Sequence, residues 1–266
     1  MTLPTSTVVA EAAERLLRAS RTGEPCAPVR DLIGAEDLDA AYAVARRVVA
    51  GLRADGARVV GRKIGLTSPA VQAQLGVDQP DFGVLLEGMA IPHRGTLPLD
   101  RLLAPRVEAE IAFVLGADLV DGPLGPEDVR PAVAYQVAAL EIVDSRIAGW
   151  DITVADTVAD NGSSAAYVLG PTAVGPEDVE PAGVAMTLTR NGEEVSRGTG
   201  TACLGDPLAA LSWLARTVRD LGDPLRAGQV VLSGALGPMV PATVGDVFTA
   251  HLVGLGEATV TLGGRP

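Results

Sequence analysis

The chain has 266 residues, 33 acidic against 21 basic side chains, and a formal net charge of −12. With no basic block to neutralise phosphates it is not built to bind nucleic acid, and no apolar run approaches the roughly eighteen residues that a bilayer span takes. Two widely separated cysteines, Cys26 and Cys203, exclude a disulfide framework and point to a reducing, cytoplasmic setting.

Hydrophobic residues make up 47% of the chain but aromatics only 3%, so Ala, Val and Leu must fill the core. Residues 1–15 lack a basic stretch followed by an apolar one, so no secretory leader is expected. Val8, Val9, Ala12, Ala13, Leu16 and Leu17 fall on one face at helical spacing and predict a first helix. Gly23, Pro25, Pro28 and Gly34 mark a connector. A second helix follows, with Asp37 as N-cap, a stripe of Leu38, Tyr42, Ala45, Val48, Val49 and Leu52, and Gly56 as its stop. The spacing thus predicts a small helical subdomain over residues 1–56, followed by a β-rich region over residues 57–266.

Candidate strands are Arg58–Ile64, Val107–Leu115, Val133–Val143 and Ala165–Leu169. In the segment Val184–Arg197, Val184, Met186 and Leu188 alternate with more polar neighbours, and Asn191-Gly192 is a strong two-residue hairpin turn. Asp206 and Pro207 open a further helix with Leu208, Leu211, Leu214 and Val218 on its buried face. Residues 230–262 read as strands broken by glycines. Strands and helices do not alternate regularly, which argues against a doubly wound parallel sheet. Neither G-x-G-x-x-G nor G-x-x-x-x-G-K-[ST] occurs, so there is no motif for a dinucleotide or P-loop site.

Chemistry concentrates in a few segments. If residues 105–113 form a strand, Glu108 and Glu110 share a face, because side chains repeat every two residues. Two adjacent carboxylates on an otherwise apolar strand repel each other, and a hard divalent cation such as Mg²⁺ would compensate; alone, the pair also fits a solvated strand face. Glu141, near the end of the apolar run Val133–Val143, is a possible third ligand. Lys63, the only lysine in the chain, ends another apolar strand between Gly61 and Gly65, where a lysine could transfer a proton that arginine cannot give up. Asp78 and Asp81 lie in a turn-rich loop, and Asp156, Asp160, Asn161, Ser163 and Ser164 crowd another. His93 and His251 have neither nucleophile-elbow nor metal-ligand spacing, which speaks against a histidine-based hydrolase.

Taken in order, Gly61-Arg62-Lys63-Ile64-Gly65-Leu66-Thr67, Gly76-Val77-Asp78 to Asp81-Phe82-Gly83, Pro105 to Phe113, Glu141 to Arg146, Asp156 to Asn161 and Ser233 to Met239 resemble the 2-keto-4-pentenoate hydratases of the fumarylacetoacetate hydrolase-like superfamily. The resemblance runs from the second helix to the C-terminus. It implies an α+β fold, a mixed β-sheet roll of the fumarylacetoacetate hydrolase C-terminal-domain type with a small N-terminal helical part. It also implies a Mg²⁺ or Mn²⁺ site held by Glu108, Glu110 and Glu141, with Lys63 as catalytic lysine and Asp78 or Asp81 as the acid/base carboxylate. Ser163 or Ser164 would contact the substrate carboxylate. Gly162 departs from the family pattern, where a small non-glycine residue is expected, and predicts a looser loop.

The implied reaction adds water to 2-hydroxypenta-2,4-dienoate in meta-cleavage catabolism of aromatic compounds. The alternatives are 4-oxalocrotonate decarboxylation, which needs a further contact for a second carboxylate, and acylpyruvate C–C hydrolysis, which usually enlists a His-Glu pair. The resemblance further implies a homo-oligomer, with a complex with a partner decarboxylase as a further possibility.

Overall fold

The computed structural model describes residues 6–68, 72–73, 77–100 and 102–264; Gly76 of the quoted motif and residues 1–5 lie outside them. Three helices come first: α1 (Ser6–Thr22), α2 (Arg30–Ile33) and α3 (Leu38–Ala54). α1 buries Ala12, Ala13, Leu16 and Leu17 of its expected stripe; α3 buries Ala45, Val48 and Val49 of its own, but its buried face is shifted towards Ala40, Ala41 and Val44, leaving Leu38, Tyr42 and Leu52 half-buried. Asp37 caps α3 by accepting the Ala40 amide at 2.9 Å, and Gly56 follows its end with φ +97°. No helix among the described residues is long and apolar enough to cross a membrane.

The remaining chain forms two sheets, with short α4 (Pro126–Val129) and α5 (Val154–Ala159) and the longer α6 (Pro207–Asp220) outside them. The strands are β1 (Val59–Gly65), β2 (Asp81–Leu86), β3 (Ala90–Ile91), β4 (Gly95–Pro98), β5 (Arg106–Leu115), β6 (Val133–Val143), β7 (Ser164–Leu169), β8 (Ala185–Arg190), β9 (Glu193–Thr199), β10 (Val230–Ala235), β11 (Val240–Pro241), β12 (Val247–Leu252) and β13 (Gly256–Gly263). The large sheet runs β2-β1-β10-β5-β6-β7-β3, with β11 also paired to β5; the second runs β4-β13-β12-β8-β9. Both are mixed, since β1 and β10, β3 and β7, and β4 and β13 pair in parallel while their other neighbours are antiparallel. This is the α+β mixed-sheet architecture that the sequence led us to expect.

Strand alternation decides what each face of the large sheet does. Val107, Ala109, Ile111 and Phe113 of β5 and Leu140 and Ile142 of β6 point into the main core with Phe248, Leu252, Val260 and Leu262 of the second sheet. Glu108 and Glu110 therefore lie on the opposite face, away from the second sheet. The N-terminal helices form a separate core cluster together with Val154, Ala155, Val158 and Ala159 of α5.

Asp156 joins these parts. Its buried carboxylate accepts the Val29 and Arg30 amides at 2.8 and 2.9 Å, the Arg30 guanidinium at 2.8 Å, and the Thr153 amide and hydroxyl at 2.9 and 3.1 Å. Burial alone would raise its pKa, but the hydrogen bonds from Thr153 and Arg30 outweigh it and hold the carboxyl below its ordinary value. Asp156→Ala is expected to cost about 3 kcal/mol, because it removes a helix cap and leaves buried donors unpaired. Its folded-state pKa lies below the unfolded value, so the contribution is present above about pH 4 and is lost as the pH falls further. Chemical denaturation of the parent and variant at neutral and acid pH measures both effects: the gap between them should close in acid.

Candidate active site

Glu108 faces Glu141 directly across the β5–β6 register, and Glu110 pairs with Ala139. One carboxylate oxygen from each glutamate lies within 4.8 Å of the others. Glu110 Oε2 accepts the Gly234 amide at 2.7 Å. Gly234 has φ +109°, and a Cβ there would stand 2.4 Å from Thr67 Oγ1, so only glycine can present that amide. Glu110 Oε1 and Glu141 Oε1 are buried without a hydrogen-bond partner, and Glu141 Oε2 has only the Lys63 ammonium, 3.4 Å away.

Such a cluster is electrostatically unfavourable by itself. Burial, then the charge of Glu141, push the Glu108 carboxyl up to about 7. Burial and the charges of Glu141 and Glu108 raise Glu110 well above the carboxylate range. Glu141 is raised by burial, with the Lys63 charge opposing. Three converging hard oxygen donors, two of them with orphaned oxygens, fit a divalent cation.

Lys63 sits on β1 with its side chain buried, while its neighbour Ile64 points into the main core. Burial alone would lower its pKa, but Glu141, Asp81, Glu108 and Glu110 outweigh it and keep the amine protonated. Asp81 opens β2 opposite Gly65 of β1, with Oδ1 buried and unpartnered. Its carboxyl is raised by burial against the lowering influence of Lys63 and of backbone hydrogen bonds. A Cβ on Gly65 would stand 2.1 Å from Asp81 Oδ1 and 3.1 Å from Lys63 Nζ, so the bare glycine is what lets both groups share this spot.

Asn161, Gly162 and Ser163 form a turn with φ values of 56°, 62° and 54°, a left-handed stretch that costs about 1–2 kcal/mol for each residue carrying a Cβ. It is tied down by side chains. Asn161 accepts the Val84 amide at 2.7 Å and donates to the Val84 carbonyl at 2.9 Å, pairing with β2 as an extra strand residue would. The Ser163 carbonyl accepts the Asp144 amide at 2.8 Å, and the Ser163 and Thr157 hydroxyls are 3.1 Å apart. Asp160, just before the turn, is buried and raised to about 6 by burial in spite of its Arg146 partner. Gly162 is tightly packed here, the reverse of the loosened loop expected from its departure from the family pattern. The Ser164 hydroxyl is buried beside Glu141 without a formed hydrogen bond.

The fold thus brings Lys63, Asp81, Glu108, Glu110, Glu141 and Ser164 together. Asp78 is exposed on the approach to β2, and the Ser163 hydroxyl is engaged by Thr157. Neither histidine joins the cluster: His93 Nδ1 accepts the Thr259 amide at 3.2 Å, and His251 is exposed on β12. Arg62 is buried against Asp223, and Arg146 holds Asp160 and the Ser164 carbonyl. Arg106, two residues before Glu108 on the same face of β5, stacks 4.4 Å from the Trp150 ring centroid and lowers the Glu108 pKa. Sequence reasoning placed Asn161 only among the short polar groups of a crowded loop and assigned no role to Gly83, Gly65 or the Gly234 amide. One signal was present: Gly61 and Gly65 flank Lys63 at a spacing of two on one strand face, which clears space beside a single long side chain.

Residues 58–262 match the fumarylacetoacetate (FAA) hydrolase C-terminal family. The chain is 53% identical over 247 residues, covering 93% of it and 92% of its relative, to the 2-keto-4-pentenoate hydratase of Paraburkholderia xenovorans (strain LB400). It is 39% identical over 249 residues, 93% of it and 94% of the relative, to the 2-hydroxyhexa-2,4-dienoate hydratase of Comamonas testosteroni. Among solved structures it is similar to 4-oxalocrotonate decarboxylase from Pseudomonas putida G7, complexed with magnesium and adipate, with a TM-score of 0.93 and 31% identity over 98% of this chain and 99% of that one. With sequence identity above half along nearly its whole length, and with the fold and carboxylate cluster described above, the chain belongs to the 2-keto-4-pentenoate hydratase family of the fumarylacetoacetate hydrolase superfamily.

Proposed function

We propose that this chain is a hydro-lyase that adds water to 2-hydroxypenta-2,4-dienoate and releases 4-hydroxy-2-oxopentanoate. The observation that carries this reading is the convergence of Glu108, Glu110 and Glu141 within 4.8 Å beside the chain's only lysine. Glu108, Glu110 and Glu141 would hold Mg²⁺ or Mn²⁺, cations suited to an all-oxygen donor set. Bound there, the cation would act as a Lewis acid on the substrate's 2-oxygen.

The chain's own residues handle the protons. Water can add at C4 only once that carbon is electron-poor, so the dienol first becomes the 2-oxo-3-enoate: the 2-hydroxyl loses a proton and C5 gains one. Water then adds across the C3–C4 double bond, with hydroxyl on C4 and hydrogen on C3. Asp81, with a free Oδ1 and a pKa raised by burial, is the carboxyl suited to take up and return these protons. An acid/base group of matched pKa contributes about 10²–10⁴ in rate. The Lys63 ammonium stabilises negative charge as it grows on the 2-oxygen. Ser164, with an unengaged hydroxyl, is suited to the substrate carboxylate. Asp78, being exposed, is not favoured for the acid/base role.

A second reading has one observation in its favour. Arg106 lies on the face of Glu108 and could hold the second carboxylate of 4-oxalocrotonate, the substrate named for the decarboxylase of similar structure. Acylpyruvate hydrolysis is disfavoured, because no histidine stands at the carboxylates to activate water. The unpaired thiols of Cys26 and Cys203 suit a cytoplasmic setting, and a net charge of −12 would keep a homo-oligomer in solution.

The test supplies freshly generated 2-hydroxypenta-2,4-dienoate and 4-oxalocrotonate, each with Mg²⁺, with Mn²⁺ and after chelation. The expected result is metal-dependent loss of diene absorbance with the first substrate and little CO₂ from the second. Faster CO₂ release from 4-oxalocrotonate would replace the hydratase reading with the decarboxylase one.

A further inference from the structure

The carboxylate cluster explains where a cation would sit, but not why a flexible lysine stands still beside it. Lys63 has four side-chain torsions and no well-formed hydrogen bond; its ammonium has the 3.4 Å contact to Glu141 Oε2. Glycines wall its stem from base to tip. A Cβ on Gly83 would lie 3.2 Å from Lys63 Cγ, one on Gly162 would lie 3.1 Å from Cδ and 3.5 Å from Cε, and one on Gly65 would lie 3.1 Å from Nζ. These glycines come from β2, the left-handed turn and β1, three elements that meet only in the folded chain.

We propose that the turn Asn161–Ser163, clamped to β2 by Asn161, makes Gly162 a positioning residue: it closes a glycine-walled sheath that sets where the Lys63 ammonium stands. The inference rests on the reading of Lys63 as part of the hydratase site. Three features of the turn support it. First, Gly162 stands against both Lys63 and the Gly83 amide nitrogen: a Cβ would touch that nitrogen at 3.4 Å and crowd Lys63 Cδ at 3.1 Å, so the lysine stem is the neighbour that must give way. Second, the approach is enforced from the other side: a Cβ on Gly83 would lie 2.3 Å from the Asn161 carbonyl oxygen, so turn and strand touch backbone to backbone. Third, left-handed backbone at Asn161 and Ser163 persists only where the surroundings impose it. Here the surroundings are the paired hydrogen bonds to Val84 and the Asp144 and Thr157 contacts of Ser163.

A methyl group at position 162 would push the lysine stem at Cδ, and the displacement grows towards Nζ. Misplacing a catalytic group by about 1 Å can cost about 10²-fold in rate. Gly162→Ala is therefore expected to lower kcat about 10- to 100-fold. Mn²⁺ binding should be retained, because all three metal-ligand carboxylates are still present.

The control is Gly149→Ala. Gly149 has φ +66°, close to the +62° of Gly162, but a Cβ there meets nothing within 4 Å. Backbone strain is thus matched and only the steric push differs. Because Lys63 is the only lysine, protein grown with ¹³Cε-lysine gives a single resonance that reports this side chain. The expected pattern is a shifted resonance and reduced kcat in Gly162→Ala, with both at parental values in Gly149→Ala. An unmoved resonance in folded Gly162→Ala protein overturns the proposal, whether or not activity falls. If Gly162→Ala does not fold, Asn161→Ser removes the bonds to Val84 without adding charge; its lysine resonance must then shift, and an unmoved one overturns the proposal equally. Resonance and metal affinity are measured without substrate, so failure to hydrate the dienoate would sink the functional reading and leave this test intact.

Discussion

Glu108→Gln is expected to abolish metal-dependent turnover and to reduce Mn²⁺ affinity by orders of magnitude. Glu108 is the most direct probe of the three glutamates: Glu110 also anchors the Gly234 amide, and Glu141 also pairs with Lys63. The same substitution should raise the melting temperature of the metal-free protein, because it removes one of several charges that repel one another in a buried cluster. With the cation the order should reverse. A ligand at about a hundredfold its Kd stabilises by about 2.7 kcal/mol, worth about 5–8 °C for a chain of this size. The parent should show that rise with Mn²⁺, and the variant should not. Thermal melts with Mn²⁺ and with chelator, together with calorimetric titration, check these results; a parental Mn²⁺ titration in Glu108→Gln would remove Glu108 from the ligand set.

pH should act through the same cluster. The Glu108 carboxyl is pushed up to about 7 without metal, so protons compete with the cation and affinity should fall as the pH drops through that value. Metal-free stability should move the other way. A carboxyl whose folded pKa lies above its unfolded value binds more protons when folded, so stability rises as the pH falls from about 8 to 6.

Lys63→Arg keeps the positive charge and is expected to lose about 10²–10³-fold in kcat while retaining Mn²⁺ binding. Two physical reasons support this expectation. A guanidinium is a broad plane, and Lys63 runs between glycines whose missing side chains leave room for a methylene stem only. A guanidinium also spreads its charge over a broad plane, so it cannot set the compact ammonium charge of Lys63 against the negative charge growing on the 2-oxygen. Steady-state kinetics with the dienoate, beside a metal titration of the same preparation, separate a lost catalytic group from a lost site. Wild-type kcat in Lys63→Arg would reduce Lys63 to a counter-charge for Glu141.

Much of this molecule is local and therefore legible from sequence. The Asn191-Gly192 turn takes φ values of 55° and 87°, as its two-residue hairpin requires. Asp206 caps α6 by accepting the Leu208 amide at 2.9 Å, as the Asp-Pro opening indicated. Glu108 and Glu110 share a face because strand alternation depends only on neighbouring residues.

Everything that required comparing distant segments was decided by the fold. Glu141 joins Glu108 because the β5–β6 register places them opposite each other, and a shift by one residue would turn Glu141 to the other face. Asp81 and Asp78 are three positions apart and chemically identical in sequence, yet strand pairing with Gly65 buries one while the other stays exposed. Ser163 and Ser164 are separated in the same way, the first engaged by Thr157 and the second left with an unpaired hydroxyl at Glu141. Gly162 reads in sequence as a looser loop, and in three dimensions it is a wall against Lys63. Residue type and local period determined which groups could do chemistry; strand register and close backbone contact decided which of them meet, because those depend on residues far apart in the chain.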